Sequence, residues 1–118
     1  MMDKDIKKVY DKAVDILLEG IHTDYANWSG STENPYIKDI PKVKLYIKPG
    51  RKFDKVVRDN SVWGFIAKTD GVHKGIPYFV GDVFKAAGWR APAKHVRGSI
   101  FDGNSDWYAW TGPIYLIL

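Results

Sequence analysis

The apolar residues of this chain change period once, and that change sets what it can fold into. Over residues 3–19, Ile6, Val9, Tyr10, Ala13, Ile16 and Leu17 recur at spacings of three and four, the pattern of one helix face. From Val43 the period drops to two. Val43, Leu45 and Ile47 alternate with Lys42, Lys44, Tyr46 and Lys48, as on a half-buried strand. A helix-period pattern does not serve as a strand, so the chain divides into one helix and a β-rich remainder. Asp3 is placed to cap the helix, and Gly20 to end it. Asp3 and Asp5 also oppose the positive pole of the helix. Residues 22–42 carry Asn, Ser, Gly, Thr and Pro and read as a loop, pinned by Trp28 and Tyr36.

Turn signals cut the β-rich part into short pieces. Pro49-Gly50, Asp59-Asn60-Ser61, Asp70-Gly71 and Gly81-Asp82 each end a run. Strands are expected at 52–58, with Phe53 and Val57 on one face and Val56 on the other, and around Pro77–Val80. The run 62–68 is apolar on both faces and is therefore expected to be a central strand. Gly71 and Gly75 bracket a hairpin tip. The apolar run 83–87 fits either a strand or one helical turn, and 88–95 is expected to be irregular or one turn of helix. Short strands are expected at 97–101, 106–110 and 114–118, with Thr111-Gly112-Pro113 turning between the last two. The fold class is α+β, a single domain over residues 1–118. An N-terminal helix (3–19) packs on an antiparallel sheet (43–118, mainly β) that curls towards a small, partly open β-barrel. At 118 residues one core suffices.

Composition narrows the chemistry. The chain has no cysteine, which excludes disulfides, thiolate nucleophiles and Cys-ligated zinc and fits a reducing compartment. No apolar run approaches the roughly 20 residues of a membrane-spanning helix, and the N-terminus lacks the apolar core of a secretion signal. A soluble cytoplasmic protein is expected. His22, His73 and His95 are scattered without ligand spacing, and no phosphate-cradling glycine motif is present, so no metal or cofactor is expected. Ser99 lies near His95 and Asp102 in sequence, but no nucleophile-elbow glycines surround it. Asp102 and Asp106 flank Gly-Asn-Ser and read as turn formers. No catalytic residue is assigned, and the chain reads as a binding protein and not an enzyme.

The positive signal is charge interleaved with aromatic rings. Residues 36–97 hold 14 Lys/Arg against 5 Asp/Glu, a concentration that favours an anionic partner. Within residues 82–103 the order is Lys85, Trp89, Arg90, Lys94, His95, Arg97, Phe101. Arg51, Lys52, Lys55 and Arg58 form a second basic cluster, one strand away from Trp63. Cations neutralise phosphates, and aromatic faces stack on unpaired bases at ~1–3 kcal/mol per base. Lys85, Arg90, Lys94 and Arg97 are expected at phosphates, and Trp89, with His95, at a base. Trp63 and Phe65 are expected in the core, whereas Trp89, beside Gly88 and Arg90, fits either core or surface. No recognition helix is evident, so single-stranded nucleic acid is favoured over duplex.

Three segments carry a family resemblance: Ser61–Lys68, Gly81–Asp102 and Trp110–Leu116. They resemble small accessory proteins of tailed bacteriophages. In those proteins a Gly-Asp-x-x-Lys-Ala-x-x-Trp-x-Ala-Pro-Ala-Lys-x-x-Arg-Gly block precedes a C-terminal Trp-x-Gly-x-x-Tyr-Leu. Gly50–Val57 is similar to their entry strand. The resemblance covers about residues 45–118 and leaves the helix and the 22–42 loop unmatched. It implies a viral protein acting in host takeover, in the cytoplasm of an infected bacterium, and it implies no activity. The Trp/Tyr/Arg enrichment equally suits an interface hot spot. The alternatives are thus a modulator or inhibitor of a host or phage machine, or a minor structural component of the virion.

Overall fold

The structure, a computed structural model, describes residues 3–28, 44–103, 106–109 and 111–114. The expected loop beyond Trp28, the pinning roles of Trp28 and Tyr36, the placement of Trp110 and the expected strand after Ile114 lie outside the described residues.

Helix α1 spans Lys4–Trp28. Asp3 caps it, its Oδ1 accepting the Ile6 N–H at 2.9 Å. The helix does not stop at Gly20, and residues 22–28 are helical, not loop. Two contacts explain this. The buried stripe is Tyr10, Val14, Leu17 and Ile21, which continues past Gly20. Gly20 itself lies under the ring of Tyr108, where any β-carbon would collide with the phenol. A mid-helix glycine costs about 1 kcal/mol against alanine, and here that cost is offset by the close packing it permits. The stripe is also rotated from the expected one: Ile6, Val9 and Ile16 are 47%, 58% and 59% exposed.

Five strands form an open antiparallel sheet, not a closed barrel. They are β1 (Leu45–Pro49), β2 (Phe53–Arg58), β3 (Ser61–Ala67), β6 (Asp82–Ala86) and β7 (Pro92–Ser99), neighbours in that order. β3 is central, as its two apolar faces require. Between β3 and β6 a hairpin of β4 (Gly71–His73) and β5 (Ile76–Tyr78) stands apart. Its two turn residues, Lys74 and Gly75, both take positive φ (52° and 81°), the type I′ geometry that matches strand twist. The ambiguous run after Gly81 is a strand, and Pro92 to His95 belong to β7, so only residues 87–91 bend. That bend is tied by the Ala87 and Gly88 N–H groups donating to the Ala91 carbonyl. A last hairpin pairs β8 (Tyr108–Ala109) with β9 (Gly112–Pro113), so Gly112-Pro113 is strand and not turn.

The sheet has two dressed faces. On one, α1 and the β8–β9 hairpin cover Val56, Trp63, Ile66, Val83 and Ile100. On the other, Phe65, Ala67, Tyr78 and Phe84 cluster with Phe53 and Val96. Strict alternation would place Trp63 beside Phe65. A bulge prevents it: Val56 pairs with Gly64 but Val57 pairs with Val62, leaving Trp63 as the extra residue. Trp63 turns to the helix side, and its indole N–H donates to the Ala109 carbonyl at 2.9 Å.

Candidate nucleic-acid interface

The site grows out of one row across the sheet, on the face away from α1. Lys48 of β1 pairs with Lys55 of β2, Lys55 with Phe65 of β3, and Phe65 with Phe84 of β6. The row runs from cations at the sheet edge to aromatic core. Like charges directly opposite each other on paired strands are destabilising, so Lys48 and Lys55 are not there to hold the sheet.

Two connections complete the site, although they leave the strand ladder at opposite ends. The β1–β2 turn supplies Arg51 and Lys52. The β6–β7 bend brings Trp89 and Arg90 from more than thirty residues away in sequence. Lys55 Nζ lies 4.4 Å from the Trp89 ring centroid and 5.8 Å from that of Phe65, and Lys48 Nζ lies 5.8 Å from Trp89. Lys48, Arg51, Lys52, Lys55 and Arg90 thus surround a cleft of about 280 Å³ with Phe53 and Phe65 as its apolar wall. Among the described residues, no carboxylate lines it. Trp89 is 44% exposed, which settles the alternative left open by the sequence. Lys55 is pushed below the ordinary lysine range, first by loss of solvent and then by Lys48 and Arg90. Cations held together without a counter-charge create a local positive potential that an anion relieves.

The turn is anchored from the opposite face. Lys68 Nζ donates to the Gly50 carbonyl at 3.0 Å, and the Lys68 N–H donates to the Lys52 carbonyl at 2.9 Å. The same ammonium sits 3.2 Å from Asp54, whose other oxygen accepts the Tyr10 hydroxyl at 2.7 Å. Burial, then the hydrogen bond to Asp54, then the charges of Asp54 and Asp11 push Tyr10 well above the usual tyrosine range, so it remains a donor. A chain of contacts from α1 through Asp54 and Lys68 therefore fixes the loop that presents Arg51 and Lys52.

Of the residues singled out in sequence, Arg51, Lys52, Lys55, Trp89 and Arg90 come together, and they merge two clusters that looked separate. Lys85, Lys94, His95, Arg97 and Arg58 do not line the cleft. Arg58 is at the far end of β2, beside the Asp59 turn. Lys85 lies between Phe84 and Ala86, which both pack on the cleft-side core, and so leaves the sheet on the other face. Strand β7 disperses the rest. The pairings Phe84–Val96 and Ala86–Pro92 leave residues 93–95 opposite Lys85 alone, and Arg97 is an extra residue between the Val96 and Gly98 pairings. Bulges of this kind bend an edge strand and re-aim its side chains. Of Lys85, Trp89, Arg90, Lys94 and Arg97, Trp89 and Arg90 are the two that meet at the cleft. Lys48 was missed, because its role depends on a cross-strand register that no local pattern displays.

Other candidate chemistry has structural uses. Ser99 Oγ accepts the Phe101 N–H at 3.2 Å within its own turn. His73 Nε2 lies 3.1 Å from the Pro92 carbonyl and packs against Phe53 and Phe84. Among the described residues no group of three or more His, Asp or Glu is placed to hold a metal ion. No helix among them is long and apolar enough to cross a membrane.

Fold and site together define a small α+β protein with an open antiparallel sheet, a helix on one face and an aromatic-walled cationic cleft on the other. The chain belongs to a family of unknown function, DUF7717, whose sequence profile matches residues 1–116. No curated protein and no solved structure matches it.

Proposed function

We propose that this chain is a phage-type accessory protein that binds single-stranded nucleic acid at the cleft between the β1–β2 turn and the β6–β7 bend. One observation carries the reading: five cations from two distant stretches meet at an apolar wall beside an exposed tryptophan, with no carboxylate among the described lining residues. In this reading the cations take phosphate oxygens and release counterions, and Trp89 stacks on an unpaired base. A duplex keeps its bases stacked internally and offers no such face to Trp89. The protein acts without a cofactor and without chemistry, in the cytoplasm of an infected bacterium.

Fluorescence anisotropy with a labelled single-stranded oligonucleotide, and the matching duplex, tests this. The wild type should prefer the single strand, and its affinity should fall steeply with salt. A Lys55→Gln/Arg90→Gln variant with an unchanged circular dichroism spectrum should bind at least about tenfold more weakly at low salt. Its log–log salt slope should be shallower by about 1.4, for two lost phosphate contacts on a single strand. A folded double variant that binds as well as the wild type overturns the reading.

A second reading, a protein-binding modulator, is favoured by a different place. Val9, Ile16 and Phe101 line an apolar groove of about 380 Å³ between α1 and the segment after β7, and each is more than two-fifths exposed. A partner that survives nuclease and high salt, and is lost on Ile16→Glu but not on Arg90→Gln, would favour it over nucleic-acid binding.

A further inference from the structure

We infer that the group bound in the cationic cleft is a terminal phosphate, a phosphomonoester or polyphosphate, and not the internal phosphodiester backbone of a continuous strand. This rests on the cleft being an anion site, as proposed above.

Charge and space do not fit an internal backbone. Each internal phosphodiester carries one negative charge, and a protein that follows a strand spaces its cations along a groove covering several nucleotides. Here Lys48, Arg51, Lys52, Lys55 and Arg90 crowd one open cleft of about 280 Å³ instead of following a groove. A phosphomonoester carries about −1.5 to −2 near neutral pH and offers three acceptor oxygens. It satisfies several converging donors at once, which a singly charged diester with two free oxygens does not.

The other basic residues of the 82–103 stretch, Lys85, Lys94, His95 and Arg97, are not among the residues that line the cleft. Lys94, His95 and Arg97 fall in the bulged stretch of β7, and Lys85 leaves on the helix side. The cations converge at one spot, and among the described residues no further cation lines the cleft, an arrangement that suits a strand end. Trp89 at the rim, with Lys55 beneath its ring, supplies one stacking surface, suited to the single base attached to that phosphate.

The test uses the full chain and short oligonucleotides of one sequence with a 5′-hydroxyl, a 5′-phosphate or a 3′-phosphate, each labelled at the opposite end. Unlabelled ATP is the competitor. A terminal phosphate at one end should tighten binding roughly tenfold or more. Arg90→Gln should remove that preference while leaving residual binding to the hydroxyl-ended strand. If ATP displaces the phosphorylated strand at concentrations near its own strand-equivalent affinity, the terminal-phosphate chemistry stands and a free nucleotide is its source. If ATP competes poorly, the strand end is the source. Equal affinity for all three strands with no effect of ATP overturns the inference and leaves strand binding intact. No binding to any of these probes overturns both.

Discussion

Asp54 and Lys55 are neighbours on β2 that leave the sheet on opposite faces, and the two faces handle charge in opposite ways. On the helix side Asp54 is 6% exposed, takes the Tyr10 hydroxyl and pairs with Lys68. On the cleft side Lys55 faces Lys48 and Arg90, and among the described residues no acid lines the space between them. One strand therefore carries a matched charge used to hold the fold and an unmatched charge that destabilises it slightly. The contrast separates structure from function within a single dipeptide. The helix-side pair also reaches the Gly50 and Lys52 carbonyls through Lys68, so the satisfied face holds the unsatisfied one in position.

The comparison breaks most visibly at Asp54. Asp54→Ala leaves the Lys68 ammonium without its counter-charge and the buried Tyr10 hydroxyl without its acceptor. It should lower unfolding stability in urea by about 2 kcal/mol, moderated by the partial exposure of Lys68. A change of a few tenths would mean that the pairing on this face is ornamental. Tyr10→Phe removes only the hydroxyl and should cost about 1 kcal/mol. Its pH signature is distinct. A tyrosine held above its unfolded value of 10.0 contributes stability that is fully present below pH 10.0 and lost as the pH rises further. The wild type should therefore weaken above that pH more steeply than Tyr10→Phe does, and parallel alkaline limbs would refute the assignment.

The opposite face should respond in the opposite sense. Lys48→Gln relieves the like-charge pair with Lys55, so stability should shift by no more than about 0.5 kcal/mol, towards a gain at low salt. Binding of single-stranded oligonucleotide should nevertheless fall several-fold. A loss of stability without a loss of binding would reverse the roles of the two faces.

The fold was legible where a period persisted and opaque where a tertiary contact overrode it. The helix, β1 to β3 and the central position of β3 follow from spacing alone, whereas β7 starts at Pro92 and ends at Ser99, not over the expected 97–101. Gly20 reads as a stop because nothing in the local sequence announces the Tyr108 ring that packs on it. Trp63 and Phe65 both read as core and are core, but that the bulge at Val56/Val57 sends them to opposite faces is not visible in a local pattern. The cleft was legible in half. Arg51, Lys52, Lys55, Trp89 and Arg90 stand out as cations beside aromatic residues, but their convergence depends on β3 lying between β2 and β6. Lys94, His95 and Arg97 have the same local character, fall in the irregularly paired part of β7 and do not line the cleft. Residue type found the candidates, and strand register chose among them.

The central claim is that bound nucleic acid sits at the cleft and not along β7 or the helix. An amide and indole NMR titration of the ¹⁵N-labelled chain with a single-stranded oligonucleotide tests that directly. The account predicts shifts concentrated at residues 48–55 and 88–91 and at the Trp89 indole, with residues 94–97 and the exposed face of α1 little changed. Shifts centred on 94–97 or on Val9 and Ile16, with the cleft silent, would contradict it.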